Sequence, residues 1–224
     1  TRMLTKSEQL FERLCETRGI AWRRIPEGET KTPDYEITIS SVDVLVEVKQ
    51  LDENDEDRRV NAASLRDEDT PGMECPSERI RHQIAEAYIQ LKSCYRAGLA
   101  TGVVLYNNAG FLNYIDGWTV TKAMFGDYGY RFGMPAPSGG AIVPLGAGFM
   151  GKRKVSRNTC RALGFVAVLK ETSQYGLGLE VYHNPFAAVR LEPSRLSQLA
   201  TDQFIHTNPH DSNYVRWQPT RIEV

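Results

Sequence analysis

Residues 33–50, PDYEITISSVDVLVEVKQ, restrict the fold more tightly than any other stretch of the chain. Apolar and polar residues alternate from Tyr35 to Val48 and the alternation breaks only at Ser40 and Ser41, which predicts two strands joined by a short turn. With the turn on those serines, Tyr35 opposes Val46, Ile37 opposes Val44 and Ile39 opposes Val42 on one apolar face. The other face receives Asp34 opposite Glu47, Glu36 opposite Leu45 and Thr38 opposite Asp43, with Lys49 two residues beyond Glu47 on the same side. Opposed side chains have Cβ atoms roughly 4.5 to 5.5 Å apart, so two carboxylates on one rung repel unless something positive stands between them. Lys49 can supply that charge, and so can a divalent cation that prefers hard oxygen ligands. A solvated sheet face with Lys49 in a surface ion pair is the plainer reading of the same residues. Ser-Ser is not a favoured pair for a tight hairpin turn, and a slip of one residue would separate the two carboxylates.

The flanking segments set this hairpin in an ordered series. Thr5 to Arg18 reads as an amphipathic helix, with Leu10, Phe11, Leu14 and Cys15 on one face and Gly19 as its stop. Thr5-Lys6-Ser7-Glu8 is a capping box, in which Glu8 bonds back to the Thr5 amide. Ile20 to Ile25 is a strand. Ser77 is placed to cap a second helix in which Ile80, Ile84, Tyr88, Leu91 and Tyr95 recur at helical spacing up to Gly98, and Gly102 to Tyr106 is a short apolar strand.

Pro33-Asp34 followed by Glu47-Val48-Lys49, in the order helix, three strands, helix, strand, resembles the signature of the PD-(D/E)xK nuclease superfamily, in the form seen in archaeal Holliday junction resolvases and related endonucleases. The resemblance implies an α/β fold with a mixed sheet, a restriction-endonuclease-like α-β-β-β-α-β core over residues 5–107, and accessory strands and a closing helix over 108–224, all in one domain. It implies that Asp34, Glu47 and the backbone carbonyl of Val48 bind one or two Mg²⁺ or Mn²⁺ ions. Glu8 resembles the first-helix glutamate that adds a metal ligand in such enzymes, which stands beside its capping role, and Glu12 is the substitute one turn later. Lys49 is then expected to orient the attacking water or stabilise the phosphorane, and Gln50 to help position the site. The implied reaction is phosphodiester hydrolysis of nucleic acid, with DNA the expected substrate and a homodimer the arrangement of many relatives.

Composition narrows the classes without choosing among them. The 224 residues are 41% hydrophobic and 25% charged, as in an ordinary globular domain. The longest apolar runs, such as Phe165 to Leu169, are too short to span a bilayer, so no membrane partner is expected. The opening TRMLTKSEQL lacks a signal-peptide core, and Cys15, Cys75, Cys94 and Cys160 show neither CxxC nor zinc spacing, which points to a reducing cytoplasm. With 27 Lys plus Arg against 28 Asp plus Glu, attraction to nucleic acid must come from local patches or bound cations.

Four further segments carry expectations of their own. LDENDEDRRVNAASLRDEDTPGMECP, after Lys49 and Gln50, has no apolar periodicity and reads as a long loop. Gly146, Gly148 and Gly151 match GxGxxG, and Gly146 to Lys152 nearly matches a P-loop, so nucleotide binding there, with Glu171 as a ribose-binding acid, is an alternative function. A nuclease-fold binding module without catalysis is another. If residues 152–163 are helical, Arg153, Arg157 and Arg161 form a cationic stripe which, with Lys152 and Lys154, suits a phosphate backbone; a solvated helix face is the ordinary alternative. Tyr114, Trp118, Phe125, Tyr128, Tyr130 and Phe132 either pack an accessory layer or stack on bases. His206 and His210, separated by Pro209, read as loop residues, and Glu192 to Phe204 as the closing helix.

Overall fold

The computed structural model describes residues 3–26, 28, 31–66, 77–95, 98–109, 115–133, 142–151, 154–172, 176–206 and 217–219. Helix α1 (Lys6–Thr17) is capped as its sequence dictates: Thr5 Oγ1 accepts from the Glu8 amide, and Glu8 Oε2 accepts from the Thr5 amide at 2.7 Å. Gly19, at φ +64°, takes the left-handed conformation that ends the helix. A meander follows, β1 (Ala21–Arg24), β2 (Tyr35–Ile39) and β3 (Val42–Leu51), all antiparallel. The predicted rungs are present, with Tyr35 on Val46, Ile37 on Val44 and Ile39 on Val42. Ser40 and Ser41 both have positive φ, 48° and 63°, as a type I′ turn requires. The apolar pairs on the buried face outweigh the local cost of two L-residues in that region.

Helix α3 (Ser77–Tyr95) carries the chain across the sheet to β4 (Ala100–Asn107), which lies parallel to β3. β4 in turn pairs in parallel with β7 (Phe165–Thr172), which forms an antiparallel hairpin with β8 (Gly176–His183); β9 (Asp202–His206) and β10 (Trp217–Pro219) finish the edge. The result is an eight-stranded mixed sheet in the order β1-β2-β3-β4-β7-β8-β9-β10. Its central strands read as continuous apolar runs because both faces are covered. On one face α1 contributes Leu10, Phe11 and Leu14 to a core with Ile37, Val44, Val46, Val48 and Val104. On the other, α3 supplies Ile80, Ile84 and Leu91 and α4 (Gly117–Phe125) supplies Val120 and Met124, against Leu45, Val103, Leu105, Val166 and Val168. β5 (Asp127–Gly133) and β6 (Val143–Met150) form a separate two-stranded sheet. No helix among the described residues is long and apolar enough to cross a membrane.

Four expectations are corrected. Part of the presumed loop after Gln50 is helix α2 (Asp55–Leu65); residues 67–76 of that stretch lie outside the described residues. Its start was hidden in an Asn-Asp version of the capping box: Asn54 Oδ1 accepts from the Asp57 amide, and Asp57 Oδ2 from the Asn54 amide. Arg58 with Asp55 and Arg59 with Glu56 support this polar helix at i,i+3 spacing, and Arg79 of α3 docks on Asp57 at 2.6 Å. The closing helix shrinks to α5 (Pro193–Leu196), because residues 202–206 pair with β8 and the Leu179 amide bonds to Thr201 Oγ1. His206 is accordingly the last residue of a strand rather than part of a loop, and His210 lies outside the described residues. Residues 154–162 are bends and turns, not a helix: Ser156 Oγ accepts from the amides of Asn158 and Thr159, a local alternative to helical bonding.

Gly102 is the tightest approach in the sheet, since a Cβ there would lie 2.1 Å from the Phe165 ring. Gly102→Ala is expected to cost about 1–3 kcal/mol in urea unfolding. Combined with Phe165→Leu it should cost less than the two single changes added together; strict additivity would show that the contact is not the cause.

Candidate functional site

Alternation along β3 decides which residues meet. Val44, Val46, Val48 and Gln50 face α1, whereas Leu45, Glu47, Lys49 and Leu51 face α3. Asp34 stands just before β2 and caps the open rung: its Oδ2 accepts from the Val48 amide at 2.8 Å. An amide and a carbonyl of one strand residue point to the same edge, so the Val48 carbonyl is turned toward Asp34 as well.

Glu47 is 1% exposed, and its Oε1 lies 2.7 Å from Lys49 Nζ. Its Oε2 is buried and has no hydrogen-bond partner. Lys49 also donates to Gln90 Oε1 of α3 at 3.3 Å, and Gln90 Nε2 donates to the Thr32 carbonyl at 3.2 Å. Burial, and then the like charge of Asp34, push the Glu47 carboxyl up to about 7 against the opposing pull of Lys49 and Gln90. A carboxylate this dry with one lone oxygen is costly unless a cation or a proton takes the place of water. Asp34, Glu47 and the Val48 carbonyl are the hard oxygen donors that could hold Mg²⁺ or Mn²⁺ here, and the orphaned Oε2 of Glu47 is the observation that fits such an ion.

The α1 carboxylates are placed differently. Glu8 Oε2 accepts from the Thr5 amide and hydroxyl, both at 2.7 Å, and Glu12 Oε1 accepts from Arg24 and from the Tyr35 hydroxyl. Both belong to the face opposite Glu47. Among the described residues no group of three or more His, Cys, Asp or Glu side chains is arranged to hold a metal ion, so Glu8 is not brought into one set with Asp34 and Glu47. Gln50 links α1 to the site: its Oε1 accepts from the Ser7 amide, one of the unsatisfied donors of the helix start, and its Nε2 donates to Asp52.

Of the expected phosphate-binding cations, Lys154, Arg157 and Arg161 lie in the bend-and-turn segment without a helical stripe, and Lys152 and Arg153 lie outside the described residues. The nucleotide-binding alternative loses its loop, because Gly146 and Gly148 sit within β6 paired with Arg131 and Gly129. Glu171, its suggested ribose acid, instead accepts from Tyr106 at 2.7 Å and lies 3.1 Å from Lys6 Nζ. It lines a cleft of about 330 Å³ with Tyr106, Asn107, Ile115 and Lys170, beyond the ends of β4 and β7. Gln90 escaped the sequence reading. The signal was its position beside Leu91, at the edge of the buried stripe of α3.

No family model, no curated protein and no solved structure matches the chain.

The raised Glu47 pKa has a definite sign for stability. The folded chain holds the proton up to about pH 7, while the unfolded chain releases it near 4.5, so stability falls as pH rises through that window when no divalent cation is present. The full effect is on the order of 3 kcal/mol. Urea unfolding in EDTA at pH 5 and pH 8 should show the loss in wild type and a flatter profile in Glu47→Gln; equal profiles for the two proteins would count against a buried, uncompensated carboxylate.

Proposed function

We propose that the chain is a divalent-metal-dependent endonuclease of the PD-(D/E)xK kind, hydrolysing phosphodiester bonds of nucleic acid, with DNA the first substrate to test. The observation that carries this reading is the orphaned Oε2 of Glu47, buried beside Asp34 and two residues before an ion-paired lysine. Support comes also from the order of elements from α1 through β1, β2 and β3 to α3 and β4, with α2 inserted, and from the parallel pairing of β3 with β4. These features support reading the core as restriction-endonuclease-like.

In this reading Asp34, Glu47 and the Val48 carbonyl hold the ion. When bound, Mg²⁺ or Mn²⁺ lowers the pKa of a water and offsets charge on the phosphate. Glu47, now ion-paired with Lys49, would hold the ion through its carboxylate and leave the ammonium as a donor. Lys49, a compact charge on a mobile stem and still within reach of Gln90, then donates to the attacking water or to a phosphate oxygen. Gln90 fixes the direction of that stem through its second bond to Thr32. Gln50 keeps the start of α1 against β3.

A second reading keeps the same core as a nucleic-acid-binding module without hydrolysis. It draws on Glu8, whose engagement in the helix cap leaves two acidic side chains rather than three at the site.

One assay separates them. Plasmid, single-stranded, branched and RNA substrates are incubated with Mg²⁺, Mn²⁺ or EDTA and with wild type, Glu47→Gln or Lys49→Ala. The nuclease reading expects metal-dependent cutting that falls by at least about 100-fold in either variant. Equal inertness of all three proteins, with no metal binding by calorimetry, would sink it and leave the binding module.

A further inference from the structure

The β5–β6 hairpin pairs with no strand of the main sheet and packs mainly on α4. One of its faces is a row of rings. Tyr128 opposes Phe149, Tyr130 opposes Ala147 and Phe132 opposes Pro144, so all three aromatics of β5 share that face. The row begins in the core, where Phe125 and Phe149 are buried with centroids 6.2 Å apart, and Tyr128 lies 5.3 Å from Phe149. It then runs outward: Trp118 lies 6.4 Å from Tyr128, Tyr128 lies 6.4 Å from Tyr130, and Tyr130 lies 6.4 Å from Phe132. Trp118, Tyr130 and Phe132 are 54%, 69% and 55% exposed, a high figure for three neighbouring large rings.

We propose that this aromatic row is a docking surface for single-stranded nucleic acid. The centroid step of 6.4 Å is about twice the roughly 3.4 Å rise of stacked bases, which suits an unstacked strand placing one base against each ring. A duplex keeps its bases inside and cannot use such a face. Cations near the hairpin can meet the phosphates of a strand seated on the row. Arg131 is exposed on the other face of β5, opposite Gly146, and the segment carrying Lys154, Arg157 and Arg161 begins beside the end of α4, where the Lys154 amide bonds to the Met124 carbonyl. Asp127, the one carboxylate among the described residues of these two strands, has Lys122 at 3.5 Å and Arg81 at 3.7 Å.

A second copy of this chain suits the hairpin less well. Strand pairing along the edge of β6 meets Pro144, which has no amide to donate, and Gly146, whose φ of +121° departs from a regular strand. The placement also favours a nucleic acid that reaches the candidate metal site. Arg81 of α3 approaches Asp127 of the hairpin, and Gln90, nine residues along the same helix, holds Lys49. That separation is about 14 Å of helix, roughly two steps of the ring row. The proposal rests on the nuclease reading for the class of ligand alone, and deepens it by naming single strands or unpaired tails as what the protein grips.

The test measures binding without cutting. Fluorescence anisotropy of a labelled oligothymidylate, and of a duplex of the same length, is followed in EDTA with wild type, Tyr130→Ala/Phe132→Ala, and the aromatic exchange Tyr130→Phe/Phe132→Tyr. The single strand is expected to bind more tightly than the duplex and to quench tryptophan emission, with the quench lost in Trp118→Leu. The double alanine variant should bind at least tenfold more weakly, and the aromatic exchange variant like wild type, which separates loss of stacking from misfolding. Arg131→Gln should reduce the salt dependence of binding while leaving the preference for single strands intact. Binding by the double alanine variant equal to wild type, equal affinity for duplex, or no binding by wild type would each overturn the proposal. So would a dimer seen by sedimentation that the alanine pair dissolves while oligonucleotide affinity stays the same. Cutting by wild type in Mg²⁺ without aromatic-dependent binding removes this surface and leaves the nuclease reading; aromatic-dependent binding without cutting does the reverse.

Discussion

A carboxylate at 1% exposure two residues before a lysine sets the terms for this half of the molecule. The Glu47 charge has little access to water, and its Oε1 has one close cationic partner, Lys49. The geometry that keeps the pair together is the register of β2 on β3, in which every apolar rung on the α1 side fixes a polar rung on the α3 side. Asp34 secures the open end of that register by accepting from the Val48 amide, where the regular β2 ladder has already stopped. The same bond brings a second negative group toward Glu47, so the structure accepts repulsion at the rung where it could have placed an apolar pair. Such a buried, like-charged pair costs stability, and groups of this kind cluster at functional sites.

The two helices that flank β3 divide the work. α1 is anchored from below by Gln50, which meets the Ser7 amide, and its own carboxylates are consumed locally: Glu8 by the Thr5 cap, Glu12 by Arg24 and Tyr35. α3 covers the other face and leaves a polar notch at Gln90, between Lys49 and the Thr32 carbonyl. The carboxylates of α1 are thus taken up by its own cap and by Arg24 and Tyr35, while Glu47 on the α3 side keeps an unsatisfied oxygen.

How far the sequence could be read depended on whether a segment's period was set by burial. The hairpin rungs, the α1 cap and stop, and the apolar stripe of α3 all follow from burial on a known period, and each was legible. α2 was not, because it is polar on all sides and stands on a cap of Asn54 with Asp57 and on ion pairs rather than on an apolar face. Residues 192–204 misled in the opposite way: their composition permits a helix, but the open edge of β8 offers backbone partners that local propensity cannot reveal. The glycines of β6 looked like a phosphate loop because a strand carrying Gly146 and Gly148, packed against Gly129 of β5, has the same spelling as a loop that must bend. Within the candidate site, Asp34, Glu47 and Lys49 could be placed together from pairing parity alone. Gln90 could not, since it reaches them across 41 residues of intervening chain.

Parity also bears on why the site lies where it does. β3 pairs antiparallel with β2 on one side and parallel with β4 on the other, so it is the strand where the meander gives way to the crossover architecture. β2 begins only at Tyr35, on the fifth rung from the turn, while β3 continues to Leu51. The overhang from Glu47 onward has a ladder partner on the β4 side and an open flank on the other, which the Asp34 side chain enters. Backbone groups on that flank are the polar atoms of the sheet left for a side chain or an ion to satisfy. A short β2 beside a long β3 thus leaves the flank that Asp34 enters, and α3 covers Lys49 there with the Gln90 amide in place of an apolar residue. The hairpin of β5 and β6 packs on α4, on the same side of the sheet, and Arg81 near the start of α3 approaches its Asp127, so the exposed rings of Trp118, Tyr130 and Phe132 lie on the sheet face that holds Glu47.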